Sequence, residues 1–201
     1  LSKAISPVVV FYHISIPEER TFAALQALKA QIEVLTLGQY DIISRSYRRI
    51  RPVKLYYTIA GNVAKINSNL HAAYVEKICK LKANITCHKL GDFESANVKG
   101  ETLHHLHNYC LAEPSQTVTY ITNTLPQIHG VNKTELYALQ KIRAYTTAVT
   151  SNMCLKSRDT CNVCGTEFYP LPFNHFLGNM FTASCEYVKD LLSPEIFELA
   201  M

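Results

Sequence analysis

Strand-length runs of β-branched and aromatic residues alternate with helix-length segments along this 201-residue chain. The first run, residues 7–14 (PVVVFYHI), has no polar face, which is typical of a strand buried on both sides of a parallel sheet. Such alternation is typical of βαβ units. It predicts an α/β fold, a three-layer sandwich whose central, mostly parallel sheet carries helices on both faces. Further strands are predicted at 53–60, 85–90 and 117–121, and helices at 17–32, 69–82, 102–111, 133–148 and 184–192.

Composition excludes several classes of protein. Hydrophobic residues make up 48% of the chain and charged residues 18%, so a disordered chain is excluded. The net charge of +4 is too small to indicate a nucleic-acid-binding protein. Five cations between Arg45 and Lys54 could grip a phosphate or an acidic glycan, but a solvated surface is favoured. No apolar run is long enough for a membrane helix.

We expect one domain spanning residues 1–201, because the sequence has no internal repeat and no Gly- or Ser-rich linker. The chain begins with Leu1 rather than Met, so we expect it to be a segment of a longer protein.

Cysteine content bears on the cellular compartment. The chain has seven cysteines, an odd number, which leaves at least one thiol outside any disulfide within the chain. Two N-glycosylation sequons begin at Asn84 and Asn132. Together these features favour the secretory pathway (the Golgi lumen) or the extracellular space over the cytoplasm.

The sharpest local motif is Cys161-Asn162-Val163-Cys164-Gly165. A C-x-x-C turn can bind zinc, exchange thiols or close a small disulfide. No second pair of ligands has the spacing of a zinc site, and a Pro-rich segment follows where a thioredoxin-like motif needs a helix. A structural disulfide or simple packing is therefore favoured over zinc and over redox catalysis.

Two polar clusters could bind a metal ion. His104 and His107 would share one helix face, with His105 beside them, but no further ligand lies at helical spacing, so a helix surface is favoured. Asp92 and Glu94 form a spaced acid pair that could hold a divalent ion on a diphosphate, although polar loops with two acids are common.

Several catalytic motifs are absent from the sequence. It contains no G-x-G-x-x-G after the first strand, no Walker A lysine and no G-x-S-x-G elbow.

Ligands of open parallel sheets bind outside the carboxyl ends of the strands. The sequence places these ends at Tyr12-His13, Ala60-Gly61-Asn62, Lys89-Leu90-Gly91 and Thr122-Asn123.

The last third of the chain contains a recognisable pattern, made up of Cys161-Asn162-Val163-Cys164-Gly165, Pro170-Leu171-Pro172, His175, Gly178-Asn179-Met180-Phe181, Ala183, Cys185 and Tyr187-Val188. Earlier segments that fit the same pattern are Phe11-Tyr12-His13, Lys54-Leu55-Tyr56-Tyr57, Gly61-Asn62, Glu101-Thr102-Leu103, Leu106 and Tyr109-Cys110. Together these residues resemble glycosyltransferase-like proteins of algae, algal viruses and bacteria, which carry a His-x-x-Gly-Asn-aromatic segment. The resemblance is strongest at Gly178-Asn179 and extends loosely over most of the chain.

The resemblance implies a GT-A-like fold that transfers a sugar from a nucleotide-sugar donor to a glycan or other acceptor, with a divalent cation (Mn or Mg) on the diphosphate. His175 is implied on the acceptor side as a candidate base, and a satisfied structural histidine is the alternative. The residues implied in substrate binding are Tyr12, His13, Gly61, Asn62, Asn123, Gly178 and Asn179.

The chain departs from this family after the fourth strand. Relatives carry Tyr-x-His-(Asp/Thr)-Lys-Gly there, whereas this chain has Tyr120-Ile121-Thr122-Asn123-Thr124-Leu125. No Asp-x-Asp motif occurs either. The departure keeps open an alternative, a non-catalytic carbohydrate-binding or interaction module on the same fold. A zinc-stabilised module is a third hypothesis.

Overall fold

The computed structural model of the chain consists of a central mixed sheet with helices on both faces. The residues that the structure describes are 7–16, 21–36, 40–41, 46–47, 52–61, 68–94, 99–124, 143–144, 147, 161–165, 168–169, 175–176 and 180–196.

Six described strands form the central sheet: β1 (Val8–Ile16), β4 (Val53–Gly61), β5 (Ile85–Phe93), β6 (Thr117–Thr122), β7 (Val163–Gly165) and β10 (Phe181–Ser184). Their order across the sheet is β5-β4-β1-β6-β10-β7. The first four in this order are parallel to one another, and β10 and β7 are antiparallel additions at one edge. The α/β class and the mostly parallel sheet are therefore confirmed. Two small hairpins pair β2 (Tyr40–Asp41) with β3 (Ser46–Tyr47) and β8 (Phe168–Tyr169) with β9 (His175–Phe176).

Helices connect the parallel strands. The structure has α1 at Thr21–Thr36, α2 at Ser68–Leu81, α3 at Lys99–Ala112 and a short α4 at Cys185–Val188. The first three correspond to helices that the sequence predicts. The helix predicted at 133–148 lies almost wholly outside the described residues. None of the described helices is both long and apolar enough to span a membrane.

Alternate residues of β1 face two separate cores, which places β1 at the centre of the sandwich. Val10 and Ile14 pack with α1 and α2 on one face, whereas Val9 and Phe11 pack with α3 on the other. Every residue of β1 from Val9 to Ile16 is buried. The predominance of hydrophobic residues in this run therefore reflects burial on both faces, as predicted.

A row of rings crosses three adjacent strands on the α3 face. The Phe11 ring stacks on Tyr56 at a centroid distance of 5.0 Å, and Tyr56 stacks on His88 at 4.9 Å. Tyr109 of α3 contacts both Phe11 and Tyr56 at 5.6 Å. These contacts fix how α3 sits on the sheet.

Two strands extend further than the sequence predicts. β1 continues to Ile16, so Tyr12 and His13 lie in mid-strand and not at its carboxyl end. β5 continues to Phe93 past a register shift opposite Tyr57 and Thr58, so Gly91 is inside the strand. Both extensions are stabilised by pairing with the neighbouring strand, which local composition does not report.

The carboxyl-terminal part of the sheet was not predicted. Phe181–Ser184 forms β10 because it pairs with both β6 and β7. The helix predicted at 184–192 is shorter, ending at Val188. The Ser184 hydroxyl accepts a hydrogen bond from the Tyr187 amide and so caps this helix.

Two disulfides join described elements. Cys79–Cys87 ties α2 to β5 across eight residues, and Cys110–Cys185 ties α3 to α4 across 75 residues. Both Cys110 and Cys185 are fully buried. The second bond fastens the α3 layer to the antiparallel edge of the sheet.

Candidate functional site

The carboxyl edge of the sheet between β1 and β6 is the candidate site. From β1 the chain adds β4 and then β5 on one side, and it returns through α3 to place β6 on the other side of β1. This reversal is the topological switch point at which open α/β sheets bind ligands. The residues at this edge are Ser15, Ile16, Gly61, Thr122, Asn123 and Thr124.

Asn123 holds this edge together. Its side-chain oxygen accepts a hydrogen bond from the Ser15 amide at 2.7 Å, and its side-chain nitrogen donates to the Ser15 and Ala24 carbonyls at 3.0 and 3.1 Å. The side chain is 1% exposed. The side-chain amide of Asn123 therefore clamps β1, α1 and the end of β6, and it fixes the position of the backbone at this edge.

A second buried polar contact lies on the α1 face. The Tyr12 hydroxyl donates to the side-chain oxygen of Gln31, whose nitrogen donates to the Thr122 carbonyl at 2.9 Å. Tyr12 is completely buried, and burial raises the pKa of its phenol well above the usual value. Tyr12, a predicted substrate-binding residue, is thus a neutral core residue that positions α1.

His13 lies on the opposite face, against α3. Its Nδ1 is 3.2 Å from the Thr102 hydroxyl oxygen and 3.4 Å from that of Thr58. The two hydroxyls also bond to each other. All three side chains are fully buried. His13 therefore connects β1, β4 and the first turn of α3.

Gly61 ends β4 beside Ile16. A Cβ atom at position 61 would lie 2.5 Å from the Ile16 carbonyl oxygen, and the backbone φ is +157°. No side chain fits without moving the two strand ends apart, so glycine keeps the carboxyl edges of β1 and β4 in close contact.

We predict that Gly61→Ala lowers the free energy of unfolding by about 2 kcal/mol through this clash. Chemical denaturation measures it. Gly91→Ala is the matched control, because its Cβ would meet only the tip of the Phe93 ring at 3.1 Å. Equal losses in the two variants would contradict the close approach at Gly61.

His71 is a buried polar residue beyond the end of β4, and it is not among the predicted site residues. It lies in the first turn of α2 and is 1% exposed. Neither ring nitrogen has a hydrogen-bond partner in the described part of the chain. Burial lowers the pKa of its imidazole. The sequence indicates its burial through helical spacing, because His71 precedes the core residue Val75 by four positions.

The other predicted site residues divide into two groups. Asn62, Gly178 and Asn179 lie outside the described residues. His175 lies in β9, where its backbone pairs with Tyr169 in a separate two-stranded sheet. The structure thus brings Gly61 and Asn123 to one edge, with Tyr12 and His13 in the sheet behind it. The substrate-binding and catalytic roles stay predictions.

The C-x-x-C motif contributes β7 to the sheet. The Cys161 and Cys164 sulfurs are 3.7 Å apart, so the motif does not close a disulfide within itself. The Cys161 sulfur lies 3.0 Å from the Val163 carbonyl oxygen.

Two of the three histidines of α3, His104 and His107, have different neighbours. His104 lies 3.5 Å from the Glu195 carboxylate and 2.9 Å from the Asn108 amide, while His107 contacts the Leu191 carbonyl at 3.2 Å. These contacts attach α3 to the segment after α4.

Four members of the predicted cation cluster lie outside the described residues: Arg45, Arg48, Arg49 and Arg51.

Asp92 of the acid pair has a cationic partner within the chain. Asp92 accepts a salt bridge from Lys89 at 2.6 Å. Within the described ranges, no group of three or more His, Cys, Asp or Glu side chains is arranged to hold a metal ion. The candidate divalent cation stays a prediction.

The described residues at the switch point carry neutral hydrogen-bonding groups. Three helices, α1, α2 and α3, each follow a parallel strand and so begin at this same edge. Their first backbone N–H groups and positive dipole ends favour an anionic ligand there.

A family model described as "Domain of unknown function (DUF8361)" matches residues 11–201. The match begins inside β1 and covers every later element, including the switch point and the antiparallel edge. No curated protein matches the chain.

Proposed function

The chain belongs to the DUF8361 family, and we propose that it is a glycosyltransferase-like domain of the GT-A-like kind. It transfers a sugar from a nucleotide-sugar donor to a glycan or other acceptor. The observation that carries the proposal is the switch point between β1 and β6, with three helix N-termini directed to one sheet edge.

A nucleotide-sugar matches the chemistry of this edge. Its diphosphate is anionic and is stabilised by backbone N–H groups at helix N-termini. Its ribose and sugar carry hydroxyls, which can bind a neutral polar group such as that of the partly exposed Thr124. The resemblance to glycosyltransferase-like proteins independently points to the same ligand.

The proposed reaction needs stabilisation of the departing nucleoside diphosphate and removal of a proton from the acceptor hydroxyl. Helix N-termini supply the first of these effects. His175 is the proposed base on the acceptor side.

We also propose a secretory or extracellular location. The Cys79–Cys87 and Cys110–Cys185 disulfides support it, because such bonds persist in oxidising compartments. The two sequons agree with the same location.

Binding of nucleotide-sugars tests the proposed function. We expect UDP-glucose, UDP-N-acetylglucosamine or GDP-mannose to raise the thermal unfolding midpoint, because a ligand that binds only the folded state stabilises it. Mass spectrometry with and without Mn²⁺ then detects release of free nucleotide. Free glucose is the ligand control, and Asn108→Ala, an exposed change on α3, is the control variant. The proposal fails if no nucleotide-sugar shifts the midpoint or is consumed.

The neutral character of the described switch-point residues favours one alternative function, carbohydrate binding without catalysis. Ser15, Thr122 and Asn123 provide no carboxylate and no cation. Glycan binding on an array, together with no release of nucleotide, would identify this alternative.

A further inference from the structure

His71 is buried without the hydrogen bonds that a buried imidazole normally makes. Its side chain is 1% exposed, and neither Nδ1 nor Nε2 has a partner among the described residues. Buried polar groups without partners are rare and costly in folded proteins. A side chain that gains its partner from a ligand is one physical reason to keep such a group.

The fold places His71 near the carboxyl edge of the sheet, beyond the end of β4. β4 ends at Gly61 on the carboxyl edge, and α2 begins at Ser68 and runs back toward the start of β5. His71 is therefore in the turn of α2 nearest to that edge. Val75, one turn further along α2, belongs to the core on the α1 and α2 face. Helical spacing puts His71 on this same inner face, above the core.

The chemistry of His71 indicates the kind of group it would bind. Burial disfavours the charged imidazolium, so the ring is neutral at pH 7. A neutral imidazole has one N–H donor and one nitrogen acceptor. A hydroxyl group also donates once and accepts, which makes it a better partner than a phosphate oxygen, which only accepts.

We propose that His71 binds a hydroxyl group of the nucleotide-sugar donor. The inference rests on the proposed function and extends it by assigning a donor-binding residue on α2. The N-terminus of α2 lies beside His71, so the diphosphate and a hydroxyl of the same ligand would contact adjacent groups of one helix.

Substitution by leucine separates this role from a structural one. His71→Leu removes two unsatisfied polar atoms from the interior, so the thermal midpoint without ligand should stay the same or rise. Its affinity for UDP-glucose should fall about tenfold, the effect of losing one good hydrogen bond. His71→Gln keeps a donor and an acceptor and should retain part of the affinity. His88→Gln, on the exposed side of β5, is the matched control and should bind as the wild type does.

Titration calorimetry with UDP-glucose and with UDP distinguishes the two sources of the hydroxyl. A tenfold loss with both probes assigns the ribose, and a loss with UDP-glucose alone assigns the sugar. Either result supports the proposal. Unchanged affinity in His71→Leu, with binding by the wild type, overturns the inference and leaves the proposed function intact. A wild-type chain that binds neither probe, nor any other nucleotide-sugar, overturns both.

A measurement on the wild type covers the case in which His71→Leu does not fold. The imidazole ¹⁵N resonances of His71 should shift when UDP-glucose is added, while those of His88 stay in place. Resonances of His71 that do not respond at saturating UDP-glucose contradict a direct hydrogen bond.

Discussion

Replacing both Cys110 and Cys185 with alanine is expected to lower the free energy of unfolding by about 4 kcal/mol. The bond closes a loop of 75 residues, so its loss restores a large amount of conformational freedom to the unfolded chain. For a chain of this size the thermal midpoint should fall by roughly 10 °C. Urea denaturation and calorimetry measure the two quantities.

The matched control is Cys79→Ala with Cys87→Ala. That bond closes only eight residues, so the same reasoning gives a smaller loss of about 2.5 kcal/mol. Cys79 and Cys87 are also partly exposed, whereas Cys110 and Cys185 are fully buried. Dithiothreitol should therefore reduce Cys79–Cys87 first under native conditions. Equal losses in the two double variants would contradict the loop-length argument.

Asn123→Ala is expected to have the second largest effect, a loss of about 3 kcal/mol in the free energy of unfolding. The substitution leaves the Ser15 amide and the carbonyls of Ser15 and Ala24 buried without their partner. Since these groups join β1 to α1 at the switch point, binding of nucleotide-sugars should weaken as well. Denaturation and calorimetry with UDP-glucose measure both effects.

Two further variants make the Asn123 prediction specific. Asn123→Asp keeps the acceptor for the Ser15 amide but sets an oxygen against two carbonyl oxygens, so it should not restore stability. Asn108→Ala removes an exposed amide and should change stability by less than about 0.5 kcal/mol. Equal free energies of unfolding in Asn123→Ala and Asn108→Ala would show that the hydrogen bonds of Asn123 do not stabilise the fold.

The sequence predicts the parallel part of the fold well, because that part depends on local pattern. The run Val8–Ile14 is hydrophobic apart from His13, so residues directed to either face of the sheet are expected to be buried. The spacing of apolar residues in α1 and α2 likewise requires one inner face. Phe22 is an exception at 73% exposure, since it lies in the first turn of α1 at the sheet edge.

Non-local pairing explains the features that the sequence does not predict. Ser15 is polar, so composition ended β1 too early, yet its backbone is paired by Asn123 from 108 positions away. Phe181–Ser184 has no strong strand pattern and becomes β10 only because β6 and β7 flank it. The partner of each cysteine could not be assigned either, because spacing does not specify which thiols meet.

The sequence by itself therefore determined the α/β class and the core strands, because burial pattern and chain direction are local properties. Only the tertiary structure decided which buried polar groups of the described residues have hydrogen-bond partners within the protein. Asn123, Tyr12 and His13 have internal partners, whereas neither ring nitrogen of His71 has one among the described residues. The physical reason is that a buried hydrogen bond depends on which distant strands and helices become neighbours.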